Sequence, residues 1–308
     1  MTTDYSYKSI CLAGCFTTRA PLSHISESVS TTSYLVQDPI LQPDGSVAEV
    51  FCYSGNAWRG QLRDHMARFT AEAAGGRLPA DSFHLLFSGG RLDQAEKSVD
   101  LQGARDIRQA IPMIALLGGG IGTQLLAGRL RVFNSYPICR EAKPVLPERF
   151  HEEANRTAYA DCTFEKEFSR KDDSKGECGQ LWMEAEAADP KVKAKPEQMR
   201  MGAELVAPGV RLYSEIHAAN VSGTELGCLV MALEHFGRSP CIGGQANKGH
   251  GLVDLYYDIS GHIEEESFIR IADGKVVLSR TAQDLRDDYL MKLNNGRDAL
   301  RAALRCAA

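Results

Sequence analysis

The sequence has no long hydrophobic run: nothing in it approaches the ~20 consecutive apolar residues of a membrane-spanning helix, so no such helix is expected. Met1-Thr2-Thr3-Asp4-Tyr5 lacks the basic-then-apolar pattern of a secretory signal, and a cytoplasmic protein with no membrane partner is expected. Basic charge is not in surplus. There are 35 Lys and Arg against 40 Asp and Glu, a net charge of −5, which excludes indiscriminate coating of nucleic acid but not a basic groove. No cysteines have CxxC spacing. The nine cysteines are odd in number and scattered through apolar runs (Cys11, Cys15, Cys52, Cys228, Cys241), so neither a zinc site nor a disulfide framework is indicated. They are expected to be reduced and buried, with no metal and no cofactor. The glycine run at 118–122 is followed by no Lys-Ser/Thr pair and lacks the GxGxxG spacing with a distant acid, so a nucleotide loop is not indicated either.

What is present suits a soluble globular protein: 308 residues, 44% hydrophobic and 24% charged, enough for one elaborated domain or two small ones. The apolar segment YKSICLAGCF (7–16) predicts a buried strand, continued through Thr17, Thr18 and Arg19 to a loop that Pro21 helps to end. Residues 23–33 are dense in hydroxyls and predict a loop. Strands are expected at 34–40 and 48–53 around the turn Gln42-Pro43-Asp44-Gly45. A long helix follows from about 56 to 74, then helical segments around 83–87 and 98–111. Between 101 and 144 six basic residues face two acidic ones, and the strand at 128–133 alternates basic with apolar side chains. From 148 to 197 charge dominates, with nine basic and thirteen acidic residues. That segment reads as a protruding hairpin or a disordered insertion. Two strands around Pro208-Gly209, a helix at 224–236 opened by Thr224, a strand at 252–257, a hairpin at 268–278 and a terminal helix from about 281 to 306 complete the pattern. The order of elements fits an α+β sandwich, with helices on one face of an antiparallel sheet.

The chain is organised around SGNAWRGQLR (54–63), where a strand feeds directly into a helix start. Ser54 or Asn56 can cap that helix, and free N–H groups at such a terminus favour an anion. Arg59 and Arg63 are four residues apart on one face. They suit phosphate, or equally a solvated helix paired with Asp64. The loop PCIGGQANKGHG (240–251) lets a polyanion approach its backbone, or is a tight glycine turn. Arg19 and His24 beside the hydroxyl-rich stretch offer contacts to phosphate and ribose that do not read sequence.

Four signals taken in order carry a resemblance: APLSHI (20–25), SGNAWRGQLR (54–63), LLGG (116–119) and IGG (242–244) leading to GHG (249–251). Over residues 7–258 the chain resembles the RAMP-type backbone subunits of CRISPR effector complexes, most closely the type IV branch. The resemblance implies an RRM-like, ferredoxin-like antiparallel palm formed by 1–147 and 202–308, with inserted fingers, and a charged thumb-like hairpin at 148–201. It implies copies stacked along CRISPR RNA, with other effector subunits and a complementary target nucleic acid as further partners. The RNA-binding set it implies is Arg19, Ser23, His24, Ser54, Asn56, Trp58, Arg59, Arg63, Gly119, Gln245, Asn247, Lys248 and His250. Relatives that cut target RNA carry an aspartate in the loop after the first strand. Residues 23–34 contain Glu27 but no Asp, so a scaffold without catalysis is expected. The competing readings are an RNA-cleaving protein of the same superfamily, using Glu27 with a metal or His24, and a hydrolase pairing Cys241 with His250 or His235.

Overall fold

The computed structural model describes residues 6–90, 101–121, 124–170 and 199–306. Its centre is the long strand β1 (Ser6–Thr18), flanked by β12 (Arg211–Ser222) and β13 (Val253–Gly261), both antiparallel to it. β14 (Glu265–Ala272) and β15 (Lys275–Leu278) extend one side of the sheet; β8 (Leu130–Val132) and β9 (Tyr136–Pro137) pair with β12 on the other. Alternation sorts the two faces. Ile10, Leu12 and Phe16 point into the main core with Leu212, Ile216, Leu255 and Tyr257, whereas Cys15 and Tyr213 belong to a second core on the opposite face. Gly14 is required where β1 meets β13: a Cβ there would lie 1.9 Å from the Tyr256 carbonyl oxygen.

Helices cover the first face. α1 (Gly55–Ala74) crosses it and is followed by α2 (Ala80–Ser88), α3 (Leu101–Ala110) and α4 (Pro112–Leu117). The capping Ser54 accepts a hydrogen bond from the Ala57 N–H at 3.2 Å, and Gly75 ends α1 in the left-handed conformation. Trp58 packs edge-on between Phe16 and Phe236, with ring centroids 5.3 and 4.8 Å away, and donates its indole N–H to the Tyr257 hydroxyl at 3.2 Å. Burying aromatic and aliphatic side chains of this kind is worth about 1.5–3 kcal/mol each. On the opposite face, α5 (His151–Ala154) and α6 (Tyr159–Cys162) close the second core, in which Ile138, Leu146 and Phe150 lie against Cys15 and Tyr213.

The sheet core and helical face follow the expected α+β palm, and most strands and helices fall where the periodicity places them. Several elements differ. The hydroxyl-rich stretch predicted as a loop is a hairpin of β2 (Ile25–Val29) and β3 (Thr32–Leu35), turning at Ser30 with φ 56°. All five β2 residues are exposed, so no buried face left a periodic signal. The two strands around Pro208-Gly209 do not pair with each other. β11 (Met199–Val206) joins β10 (Thr163–Arg170) and β3 in a separate sheet, while β12 enters the main one. α7 (Gly223–Phe236) is opened by a Ser222/Glu225 capping box, not by Thr224. The single terminal helix is two, α8 (Arg280–Asn295) and α9 (Arg297–Cys306), separated at Gly296. β4 (Gln37–Leu41) and β5 (Val47–Phe51) form the expected ribbon. Of the insertion expected at 148–201, residues 148–162 pack on the main sheet and 163–170 pairs with 199–206, while 171–198 lie outside the described residues.

Candidate nucleic-acid interface

Two loops are stitched together at one end of β1. The Gly244 N–H donates to the Ser23 carbonyl at 2.6 Å and the Gly251 N–H to the Pro21 carbonyl at 2.8 Å. Only glycine serves at two of these positions. Gly243 (φ 73°) and Gly251 (φ 82°) are left-handed, and a Cβ would stand 2.3 Å from Ser23 O and 2.0 Å from Ile242 O respectively. Gln61 from α1 locks the same loop by donating to the Cys241 carbonyl at 3.1 Å while accepting from the Tyr53 hydroxyl at 3.2 Å. The sequence signals at 20–25, 54–63 and 242–251 therefore meet in space.

Three buried polar atoms on the stitched loops have no partner among the described residues: Ser23 Oγ, Gln245 Oε1 and His250 Nδ1. A buried polar group left this way costs about 1–3 kcal/mol, which a bound polar ligand or water would offset. Beside them, Ala246–Lys248 forms a 3₁₀ turn in which Asn247 and Lys248 are exposed, and the Lys248 ammonium sits 5.2 Å over the Phe168 ring. Burial, and then the charges of Lys166 and Lys248, push the His250 pKa down. Its imidazole is therefore neutral near pH 7, leaving the two lysines as the cations. Lys166 and Phe168 were missed in the sequence. They share one face of β10 by period-two spacing, a signal hidden by the mixed charges around it.

The other expected residues divide. Ser54 caps α1, and Asn56 is exposed in its first turn. His24 packs edge-on to Tyr53 at 5.1 Å, accepts from the Ser54 N–H at 3.4 Å and has its pKa lowered by burial, so it offers a neutral ring and not a phosphate-binding cation. Arg19 is exposed but paired, 2.8 Å from Asp254 and 3.5 Å from Asp273. Gly119 sits in β6 (Gly119–Ile121), which pairs with β7 (Gln124–Leu126). A Cβ on Gly119 would press against Leu85 at 2.9 Å, so its role is close packing on α2.

Three of the expected residues engage the protein itself. Trp58 is 0% exposed and belongs to the core. Arg63 is 8% exposed: its guanidinium donates to the carbonyls of Leu85 and Leu86 at 3.4 and 3.3 Å, and to those of Leu117 and Gly118 at 3.1 Å each. Arg59 donates to the Leu117 carbonyl as well. The pair that spacing offered to phosphate instead caps the C-terminal ends of α2 and α4, where carbonyls and dipoles favour a cation. Burial and then the Arg59 charge bring the Arg63 pKa down to about 10, still protonated at neutral pH. Sequence could not separate these outcomes, because the carbonyls lie over 20 residues away and only the fold brings them to α1.

Cys241 is half-buried and has no hydrogen bond to His235 or His250 among the described residues; His235 instead packs edge-on to Phe69 at 5.3 Å. Glu27 is exposed on β2. One group with metal-ligand chemistry stands elsewhere, on the second face of the main sheet: Cys11, Glu215 and His217. No helix among the described residues is long and apolar enough to cross a membrane.

No known family profile matches the sequence, and no curated protein matches it. The fold does have a counterpart. A chain of a solved structure described as "Type IV-B CRISPR Complex" superimposes with a TM-score of 0.56 at 17% identity, over 84% of this chain and 93% of that one. The antiparallel palm with its helical face is thus a fold that this chain shares with a chain of a type IV-B CRISPR complex.

Proposed function

We propose that the chain is a type IV CRISPR effector subunit that binds CRISPR RNA as a backbone scaffold, stacking with copies of itself along the guide and performing no catalysis. The observation that carries the reading is the stitched-loop cluster. Orphaned buried polar atoms of Ser23, Gln245 and His250 lie on loops bordered by Lys166, Lys248 and the Phe168 ring. Two ammonium groups suit phosphate and the exposed Asn247 amide suits ribose, while the Phe168 ring supports the Lys248 ammonium. None of these reads base edges, so sequence is left to base pairing between guide and target. The fold shared with a type IV-B complex chain supports the same reading. Other effector subunits and a complementary target strand follow as partners.

The test is co-expression with a CRISPR array, comparison of absorbance at the nucleic-acid and protein maxima, and extraction of protected RNA. Guide RNA should copurify in a regularly repeating assembly. Lys166→Ala/Lys248→Ala should weaken binding of any single-stranded guide alike and lower the slope of log affinity against log salt by about 0.7 for each phosphate no longer neutralised. A monomer free of RNA at low salt, or weakening confined to one guide sequence, would refute the proposal.

A further inference from the structure

The second face of the main sheet carries a group that the RNA reading does not use. β1 and β12 place Cys11 directly opposite His217, and Glu215 lies two residues along β12 on the same face. One donor atom from each of Cys11, Glu215 and His217 lies within 4.8 Å of the others. The Cys11 Sγ is 3.6 Å from Glu215 Oε1, which also hydrogen-bonds to His217 Nε2. We propose that Cys11, Glu215 and His217 form a site for a zinc-class divalent transition-metal ion.

The donor set decides the class. A thiolate, an imidazole and a carboxylate suit zinc or cobalt, whereas magnesium and calcium take oxygen ligands alone. The sulfur-to-oxygen spacing agrees, since tetrahedral zinc with a bond to sulfur of about 2.3 Å and to oxygen of about 2.0–2.2 Å sets those two atoms about 3.5 Å apart; the Glu215–His217 hydrogen bond opens when both bind the ion. The ligands stand on two adjacent interior strands of the sheet and not on loops, which fixes their separation. Neighbours then orient the side chains. The Tyr213 hydroxyl donates to Glu215 Oε2 at 2.6 Å, leaving Oε1 turned toward Cys11 and His217. Phe133 meets the His217 ring edge-on, with centroids 4.9 Å apart. Such supporting neighbours hold ligands in a binding geometry before the metal arrives.

Three protein ligands leave a fourth position open. Of the three, Glu215 also lines an open cleft of about 450 Å³ with Phe133, Asn134, Tyr136 and Tyr213, room enough beside the carboxylate for water or an anionic oxygen. Arg131, the register partner of His217, and Arg149, whose charge reaches Cys11, oppose a cation there. The Cys11 thiol donates to Glu215 in the free protein, and metal binding releases that proton, so that thiolate and carboxylate together then supply two negative charges. An ordinary Glu–His ion pair on a sheet surface is the alternative, and it needs no sulfur.

The experiment is cobalt titration of the full-length protein after treatment with a chelator. One equivalent should bind, with thiolate-to-cobalt charge transfer and the intense visible bands of a tetrahedral site, and zinc should displace it. Cys11→Ser should abolish the charge-transfer band and His217→Ala should weaken binding at least tenfold, each with an unchanged circular dichroism spectrum. Tyr213→Phe, which keeps all three ligands, should weaken affinity about tenfold. Absence of the cobalt spectrum in the wild-type protein, or its survival in Cys11→Ser, would overturn the proposal. RNA binding is read separately, so failure here leaves the scaffold reading standing.

Discussion

Replacing Arg63 with Ala separates a structural arginine from an RNA-binding one. The guanidinium donates to four carbonyls, two at 3.1 Å and two at 3.3–3.4 Å, on residues that are all buried. A hydrogen bond involving a charged group contributes about 1.5–3 kcal/mol net, and the two longer ones count for less. Removing the charge also removes its desolvation cost, which the pKa brought down to about 10 makes evident. Arg63→Ala leaves buried neutral carbonyls without this donor at about 1–3 kcal/mol each, so with the desolvation relief subtracted the net loss is about 3–5 kcal/mol. For a chain longer than 250 residues, at roughly 2 °C per kcal/mol, the melting temperature should fall by roughly 6–10 °C. Arg63→Lys keeps the charge without the planar fork and should recover only part of that stability. The assay is thermal unfolding of the guide-free protein by circular dichroism, paired with guide-RNA binding well below the transition. Folded Arg63→Ala should bind RNA as the wild type does, the reverse of the Lys166/Lys248 variant. An unchanged melting temperature with weakened RNA binding would refute the reasoning and return Arg63 to the interface.

Two further outcomes follow from the same geometry. His65 has its pKa pushed down to about 4, first by burial and then by Arg68, His235 and Arg238. The folded value lies below the unfolded one of about 6.5, so its contribution is present above that pH and is lost as pH falls toward 4. The melting temperature should therefore drop between pH 7 and pH 5, and His65→Gln should flatten that dependence; an identical pH profile in the variant would exclude His65 as its source. Gly251→Ala forces a left-handed residue and a Cβ 2.0 Å from the Ile242 carbonyl oxygen, so a destabilisation of about 1–3 kcal/mol and weaker guide binding are expected. Denaturant unfolding and an RNA titration check both, and wild-type values in both would show that the stitching of the two loops is dispensable.

Locally coded features were legible in the sequence alone. The alternation of Ile10, Leu12 and Phe16, the strand-to-helix junction at Ser54 and the Asp273-Gly274 turn each specify their conformation through neighbours or sterics within a few residues. The order of those signals was enough to anticipate an antiparallel palm with a helical face. Where side chains point and what they meet was set by packing. Trp58 and Arg63 lie in the same helical turns as exposed Asn56, yet one fills the core and the other binds carbonyls delivered by α2 and α4. The exposed hairpin at 25–35 left no burial pattern to read, because its pairing partner is β11. Lys248 reached the Phe168 ring across a gap of roughly 80 residues through loop packing, and Cys11 reached Glu215 and His217 across roughly 200 through strand pairing. Spacing in the chain gives the face of an element; the registers of distant strands choose its neighbours.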